Sequence, residues 1–156
     1  MNFKLINEFD GDLHHQLYEF FKKSKPMNFC SIASPTIRNK KINEYINFLE
    51  SCEIKYLIKS NLGEEYFIAL QNENIKMNII FIMNISLSNS HANDSLNEFY
   101  KFIFKQYPKC EYVYSSISRK FKLQKYLSWI KRYAKSCKVE FDNDKIVAYW
   151  YKTHVE

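Results

Sequence analysis

The most one-sided run of charge in this chain lies between residues 119 and 138. It holds Arg119, Lys120, Lys122, Lys125, Lys131, Arg132, Lys135 and Lys138, with no acidic residue among them. A cationic stripe of this kind can track nucleic-acid phosphates or meet an acidic protein. Tyr126, Trp129 and Tyr133 interleave with it, and aromatic rings stack on unpaired bases. Contact with nucleic acid or an acidic partner through Arg119, Lys120, Lys122, Lys125, Lys131 and Arg132 is therefore one expectation. The plainer alternative is a solvated helix face in a lysine-rich protein. Metal chemistry is not indicated. His14 and His15 are adjacent, so they do not share a helix face. Glu140, Asp142 and Asp144 cluster at a hairpin turn, where acidic residues need no metal to explain them. Cys30, Cys52, Cys110 and Cys137 contain no C-x-x-C pair, so a zinc site is not expected. Free thiols in a reducing, cytoplasmic compartment are the expectation instead. No G-x-S-x-G, P-loop or H-E-x-x-H motif occurs.

These residues must be positioned by a folded core, and the chain can build one. Its 156 residues are the usual size of a single domain, taken as 1–156, which hides roughly two-thirds of its unfolded surface. Hydrophobic residues make up 46%, which argues against disorder. Thirteen Phe and twelve Tyr can supply much of the interior. Glycine occurs only at Gly11 and Gly63, so turns with positive φ fall to asparagine. Lys outnumbers Arg 20 to 3. That bias, like the abundance of Asn, reflects an AT-rich genome as much as selection for function. The net charge of +6 favours solubility and acidic partners in general. The most apolar run, 75–87, is too short to span a bilayer and is interrupted by Lys76, Asn78 and Asn84. Met1-Asn2-Phe3-Lys4 lacks the long apolar region of a signal peptide.

Periodicity orders the elements. Residues 3–7 read as a short strand. Leu13, Leu17, Phe20 and Phe21 mark one face of a first helix, stopped by Pro26. Ser34-Pro35 reads as an N-cap followed by proline at the first helical position. Ile42, Tyr45, Ile46 and Leu49 are the stripe of the second helix. Three strands follow at 54–59, 65–71 and 76–85, joined by turns at Asn61-Leu62-Gly63 and Asn72-Glu73-Asn74. The third is nearly continuous in apolar residues, as suits a central strand covered on both faces. After a polar loop, Ser95 and Glu98 form a capping box for a helix carrying Leu96, Phe99, Tyr100, Ile103 and Tyr107. A strand at 111–115, a fourth helix at 120–136 and a closing hairpin at 139–151 complete the chain. The order β-α-α-β-β-β-α-β-α-β-β predicts an α/β (α+β) domain. Its single mixed, mostly antiparallel sheet carries helices on both faces.

That order resembles the GNAT superfamily of acyl-CoA-dependent N-acyltransferases. The likeness is clearest in NIIFIMNISL, SLNEFYKFIFKQYP, EYVYSS, KLQKYLSWIKRYAKS and VEFDNDKIVAYWY. Small divergent members carried by bacteriophages are similarly compact. The resemblance implies an acyl-CoA or acetyl-CoA cosubstrate, no metal, and transfer of an acyl group to an amine. It implies that the backbone of Met83, Asn84 and Ile85 holds the pantetheine arm in a gap between two splayed strands. Ser88, Asn89 and Ser90 would face the pyrophosphate, and the basic helix could hold the 3′-phosphate. A tyrosine of the fourth helix, Tyr126 or Tyr133, would protonate the departing thiolate. Glu64, Glu65, Glu111 and His91 are the residues that could take the amine proton. The chain departs from the family pattern in two places. The pyrophosphate loop, SLSNSHAND, has no glycine or basic residue and ends near Asp94. The family's Tyr-x-x-x-Gly-Phe pattern is absent; with Ala134 at the glycine position, Ile130 takes the tyrosine position. Two other readings therefore stand beside acyl transfer. One is an inactive GNAT-like binding or structural module, for example in a phage particle, with a protein partner or as a homo-oligomer. The other is nucleic-acid binding through 119–138.

Overall fold

The computed structural model describes residues 2–23, 29–59, 63–85, 96–118, 127 and 137–155. Seven strands form one sheet. They are β1 (Asn2–Leu5), β2 (Ile54–Lys59), β3 (Glu65–Asn72), β4 (Lys76–Asn84), β5 (Tyr112–Ser118), β6 (Lys138–Asp142) and β7 (Lys145–Tyr151). The spatial order is β1-β2-β3-β4-β5-β7-β6. Every neighbouring pair is antiparallel except β4 with β5, which is parallel. A parallel pair needs a crossover, and α3 (Asn97–Gln106) lies in that connection. The expected mixed, mostly antiparallel sheet is thus the observed one. The fourth helix expected at 120–136 lies outside the described residues apart from Leu127.

Two cores flank the sheet. On one face, α1 (Gly11–Lys23) and α2 (Pro35–Ser51) bury Leu13, Leu17, Phe21, Ile42, Ile46 and Leu49 against Phe67, Ala69 and Phe81. Phe21 is the hub of this layer. Its ring centroid lies 5.4 Å from Phe20, 5.6 Å from Phe29, 5.3 Å from Tyr45 and 5.6 Å from Phe81. On the other face, α3 buries Phe99, Tyr100, Ile103 and Phe104 against Tyr56, Ile68, Met77, Val113 and Trp150. Both helical stripes recur at three- and four-residue spacing, so each helix lays one apolar side on the sheet.

Local signals act where the sequence places them. Ser34 caps α2, its side chain accepting from the Ile37 amide at 3.4 Å. Asn74 takes φ 73° in the β3–β4 turn. Asn72 Oδ1 accepts from its amide at 2.9 Å, an Asx turn that replaces glycine. Asn143 does the same duty at φ 48° between β6 and β7. α3 begins at Asn97 behind Leu96, which is 1% exposed and has no side-chain cap bond of its own. The expected capping box rests on Ser95, which lies outside the described residues.

Candidate functional site

The part of the sheet that could hold a ligand is where β4 and β5 part. Their parallel ladder runs through Lys76–Tyr112, Met77–Val113 and Asn78–Tyr114, and then stops. Both strands continue, β4 from Ile79 to Asn84 and β5 from Ser115 to Ser118, without pairing to one another. The alternate backbone N–H and C=O groups of Ile79–Met83 and Ser115–Ile117 that point away from β3 and β7 are therefore not spent on a β4–β5 ladder.

The cause is local. On its other side β4 pairs with β3, and the register shifts between Ala69 and Leu70: Leu70 faces Ile79, while Ala69 faces Phe81. Ile80 is the extra residue of a β-bulge. A bulge bends its strand and increases its twist, and this one follows directly on Asn78, the last β4 residue paired to β5. It also resets the alternation of side chains. Met77 and Ile79 belong to the α3 core, whereas Phe81 joins the core under α1 and α2. Strict alternation would put all three on one face. Beyond the bulge, Ile82 and Met83 are only partly buried, and Ser116 on β5 is exposed.

The far end of β4 is tied to α1. The Ile85 amide donates to the Glu65 carbonyl at 2.8 Å. Gln16 Nε2 donates to the Ile85 carbonyl at 3.4 Å and lies 3.5 Å from Glu65 Oε2. Lys59 Nζ lies 3.7 Å from Glu65 Oε1. Ile85 is thus committed through both backbone groups, and its side chain is 2% exposed. Met83 and Asn84 pair with Phe67 and Tyr66 of β3 and lie beyond the last pair with β5.

The candidate bases separate by position. The Glu65 carboxylate lies beside the unpaired end of β4, oriented by Gln16 and Lys59. Glu64 accepts from the buried Tyr66 hydroxyl. Glu111 belongs to the opposite end of the sheet. Its amide donates to the Ile75 carbonyl at 2.6 Å and its carbonyl accepts from Lys152, at the paired start of β5. His91 lies outside the described residues. So do Ser88, Asn89 and Ser90, the tyrosines Tyr126 and Tyr133, and the basic residues Arg119, Lys120, Lys122, Lys125, Lys131 and Arg132. Gln16 and Ile80 carry no sequence signal of their own. Gln16 is one polar residue between buried Leu13 and Leu17, and Ile80 is one more apolar residue in an apolar run.

Burial disfavours the thiolate at each described thiol whose titration shifts. Cys52, Cys110 and Cys137 carry thiols outside any disulfide, and burial raises the pKa of each. For Cys137 it rises to about 12. Among the described residues no group of three or more His, Cys, Asp or Glu could hold a metal ion. No described helix is long and apolar enough to cross a membrane.

Solved structures share this arrangement across nearly the whole chain. A GCN5-related N-acetyltransferase from Brucella melitensis superposes with a TM-score of 0.65 at 9% identity, covering 97% of this chain and 76% of that one. The PaiA N-acetyltransferase of Thermoplasma acidophilum, solved with coenzyme A, gives 0.58 at 12% identity, over 97% and 99% of the two chains. The Campylobacter jejuni N-acetyltransferase PseH, solved with acetyl coenzyme A, gives 0.54 at 12% identity, over 97% and 99%. The chain has the GNAT fold. At these identities the likeness establishes the GNAT fold and leaves the chemistry to the residues. No family model matches the chain. In sequence, a DNA-directed RNA polymerase subunit β″ of Plasmodium falciparum (isolate 3D7) is 36% identical over 87 residues. That match spans 50% of this chain and 9% of the polymerase subunit, and it brings no activity with it.

Proposed function

We propose that this GNAT-fold protein binds an acyl-CoA and transfers the acyl group to an amine. The observation that carries the reading is the parting of β4 and β5 after Asn78–Tyr114. The pantetheine arm is an extended chain with two amides. An unpaired strand edge offers such a chain the backbone partners it would find as an added strand. The open edge of β4 from Ile79 to Asn84 fits that group. Two of the structures that share the fold were solved with coenzyme A or acetyl coenzyme A.

A bound acyl-CoA supplies a thioester carbonyl as the electrophile. The chain's task is then to hold the acceptor amine and manage its protons. Glu65, oriented by Gln16 at 3.5 Å and Lys59 at 3.7 Å, takes a proton from the ammonium form of the acceptor, directly or through one water. The amine nitrogen forms the new C–N bond and loses its second proton to solvent, the C–S bond breaks, and the thiolate leaves with the electron pair. Tyr126 or Tyr133 returns a proton to it. Ser88, Asn89 and Ser90 supply the hydroxyl, amide and backbone donors for the pyrophosphate. Main-chain and hydroxyl groups here replace a glycine-rich turn.

Isothermal titration calorimetry with coenzyme A and acetyl-CoA tests this directly, followed by thiol release in the presence of polyamine or lysine acceptors. Saturable heat with one site per chain is expected. Absence of both heat and thermal stabilisation at millimolar ligand refutes the proposal.

A further inference from the structure

Lys55 and Ser115 are the buried hydrophilic residues of the described structure, at 5% and 9% exposure. Lys55 is satisfied. Its Nζ donates to the Glu50 carbonyl and lies 5.8 Å from the Phe9 ring centroid. Ser115 differs: among the described residues its hydroxyl has no hydrogen-bond partner. Burying a hydroxyl without a partner costs stability. An idle polar group in a core calls for a reason, and a functional site is one of the few that offset the cost.

Ser115 stands where β4 and β5 part. Asn78–Tyr114 is the last pair of the parallel ladder, and Ser115 is the next residue of β5. It pairs with Ala148 of β7. Ala148 and Val113 both belong to the α3 core, so the Ser115 side chain lies on the α3 face. Its neighbours by register on that face are Val113 and Ala148, with Met77 and Ile79 on the facing strand. All four are apolar. Alternation puts Asn78 and Tyr114 on the other face, and the Tyr114 hydroxyl is committed to Glu73. On the α3 side of the closed end, Ser115 is thus the side-chain hydrogen-bond donor these strands present.

We propose that Ser115 is a further catalytic residue, its hydroxyl donating to the carbonyl oxygen of the acyl thioester. The inference rests on the acyl-transfer reading. From Ile79 to Asn84 the open stretch of β4 spans about 17 Å of extended strand. Pantetheine has about as many backbone bonds as four residues and so reaches about 14 Å. With the pyrophosphate beyond Asn84, the arm directs its sulfur toward Ile79, and the acyl group comes last, at the closed end beside Ser115. As the amine nitrogen adds, the carbonyl oxygen takes up negative charge. A hydrogen bond from a fixed hydroxyl among apolar neighbours strengthens with that charge. Ser115 keeps its proton throughout, and the charge returns to the C=O bond as the C–S bond breaks. The hydroxyl is idle without ligand because its partner arrives with the substrate.

Ser115→Ala tests this, because stability and chemistry should move in opposite directions. Without ligand the variant loses only an unpartnered hydroxyl, so its urea midpoint should hold or rise. Its Kd for coenzyme A, which has no acyl carbonyl, should stay within about twofold of wild type. With acetyl-CoA, kcat should fall about 100-fold. Infrared difference spectra of bound acetyl-CoA, carbon-13 labelled at the carbonyl, read the contact without turnover. The carbonyl band should lie below that of free acetyl-CoA in the wild type and move back toward it in Ser115→Ala. A band that is the same in both proteins overturns the role of Ser115 while leaving acyl transfer standing. So does a lowered urea midpoint, which would make the hydroxyl structural. If the wild type binds neither coenzyme A nor acetyl-CoA, the acyl-transfer reading falls and this inference falls with it.

Discussion

Deleting Ile80 would test whether the bulge is what holds β4 and β5 apart. The deletion is unusually clean. Leu70 would still face Ile79, Ala69 would still face Phe81, and Ile68 would still face Ile82, as they do now. Simple alternation would then put Met77, Ile79 and Ile82 on the α3 side and Phe81 and Met83 on the α1–α2 side. Those are the sides these residues already occupy. The deletion removes a side chain only partly buried against the α1–α2 core. Complete burial of an isoleucine is worth about 1.5–3 kcal/mol, so the loss here is about 1 kcal/mol. A straightened β4 can extend the parallel ladder along Ser115–Ser118, and each backbone hydrogen bond gained returns about 0.5–1.5 kcal/mol. The net change is small against a typical domain stability of about 5–15 kcal/mol, so the variant folds. In hydrogen exchange, the alternate amides of 81–84 and 115–117 that are not bonded to β3 or β7 should become protected as the strands zip together. If the open edge holds pantetheine through about two backbone hydrogen bonds, closing it costs about 1–3 kcal/mol of affinity, a roughly 5- to 150-fold weaker Kd for coenzyme A. A folded variant with unchanged exchange at those amides would refute the bulge as the cause of the parting. Zipped strands with undiminished CoA affinity would refute the gap as the binding site.

Three further outcomes follow from the same geometry. Glu65→Gln should lower kcat for acyl transfer by about 100-fold or more while leaving the Kd for coenzyme A within about twofold. An equal loss in binding would make Glu65 a structural residue instead. Phe21→Ala, at 0% exposure with four ring neighbours, should cost about 3–5 kcal/mol. A urea midpoint displaced by less than a third of that would show that the α1–α2 layer repacks. Stability should also fall on the alkaline side. The Cys137 thiol ionises near its ordinary value of 9.0 in the unfolded chain but near 12 in the folded one, and burial likewise raises Tyr45, Tyr114 and Tyr149. The unfolded state therefore releases protons first. Stability is fully present below pH 9 and declines as the pH rises toward 12. Urea midpoints at pH 7.5, 9 and 10.5 should decline in that order beyond pH 9, and a flat profile would contradict the assigned burial.

The basic segment that stands out first in the sequence is legible only as charge. Its residues from 119 to 136 fall outside the described structure apart from Leu127. The element order, by contrast, is carried by local physics. Apolar residues at helical spacing in α1, α2 and α3, Ser34 before Pro35, and asparagine at the positive-φ turns each act within a few residues. A single sequence displays such signals in full. The same holds for the expectation of a mixed sheet, because α3 between two strands requires a crossover. What the residues could not disclose was where the ladder breaks. The run from Lys76 to Ile85 is apolar on both sides of the strand, so it has no alternation for a bulge to interrupt. Ile80 becomes the extra residue only when Leu70 and Ala69 choose their partners across the sheet. Likewise Glu64, Glu65 and Glu111 are equivalent as letters. Tertiary pairing puts Glu65 with Gln16 and Lys59 at the open end of β4, and Glu111 beside Ile75 at the closed end. The sequence by itself determined which segments become helix and strand, because capping, turn chemistry and periodicity are short-range. Only the tertiary structure decided which strands part and which carboxylate lies at that end of β4, because register and twist belong to pairs of strands distant in the chain.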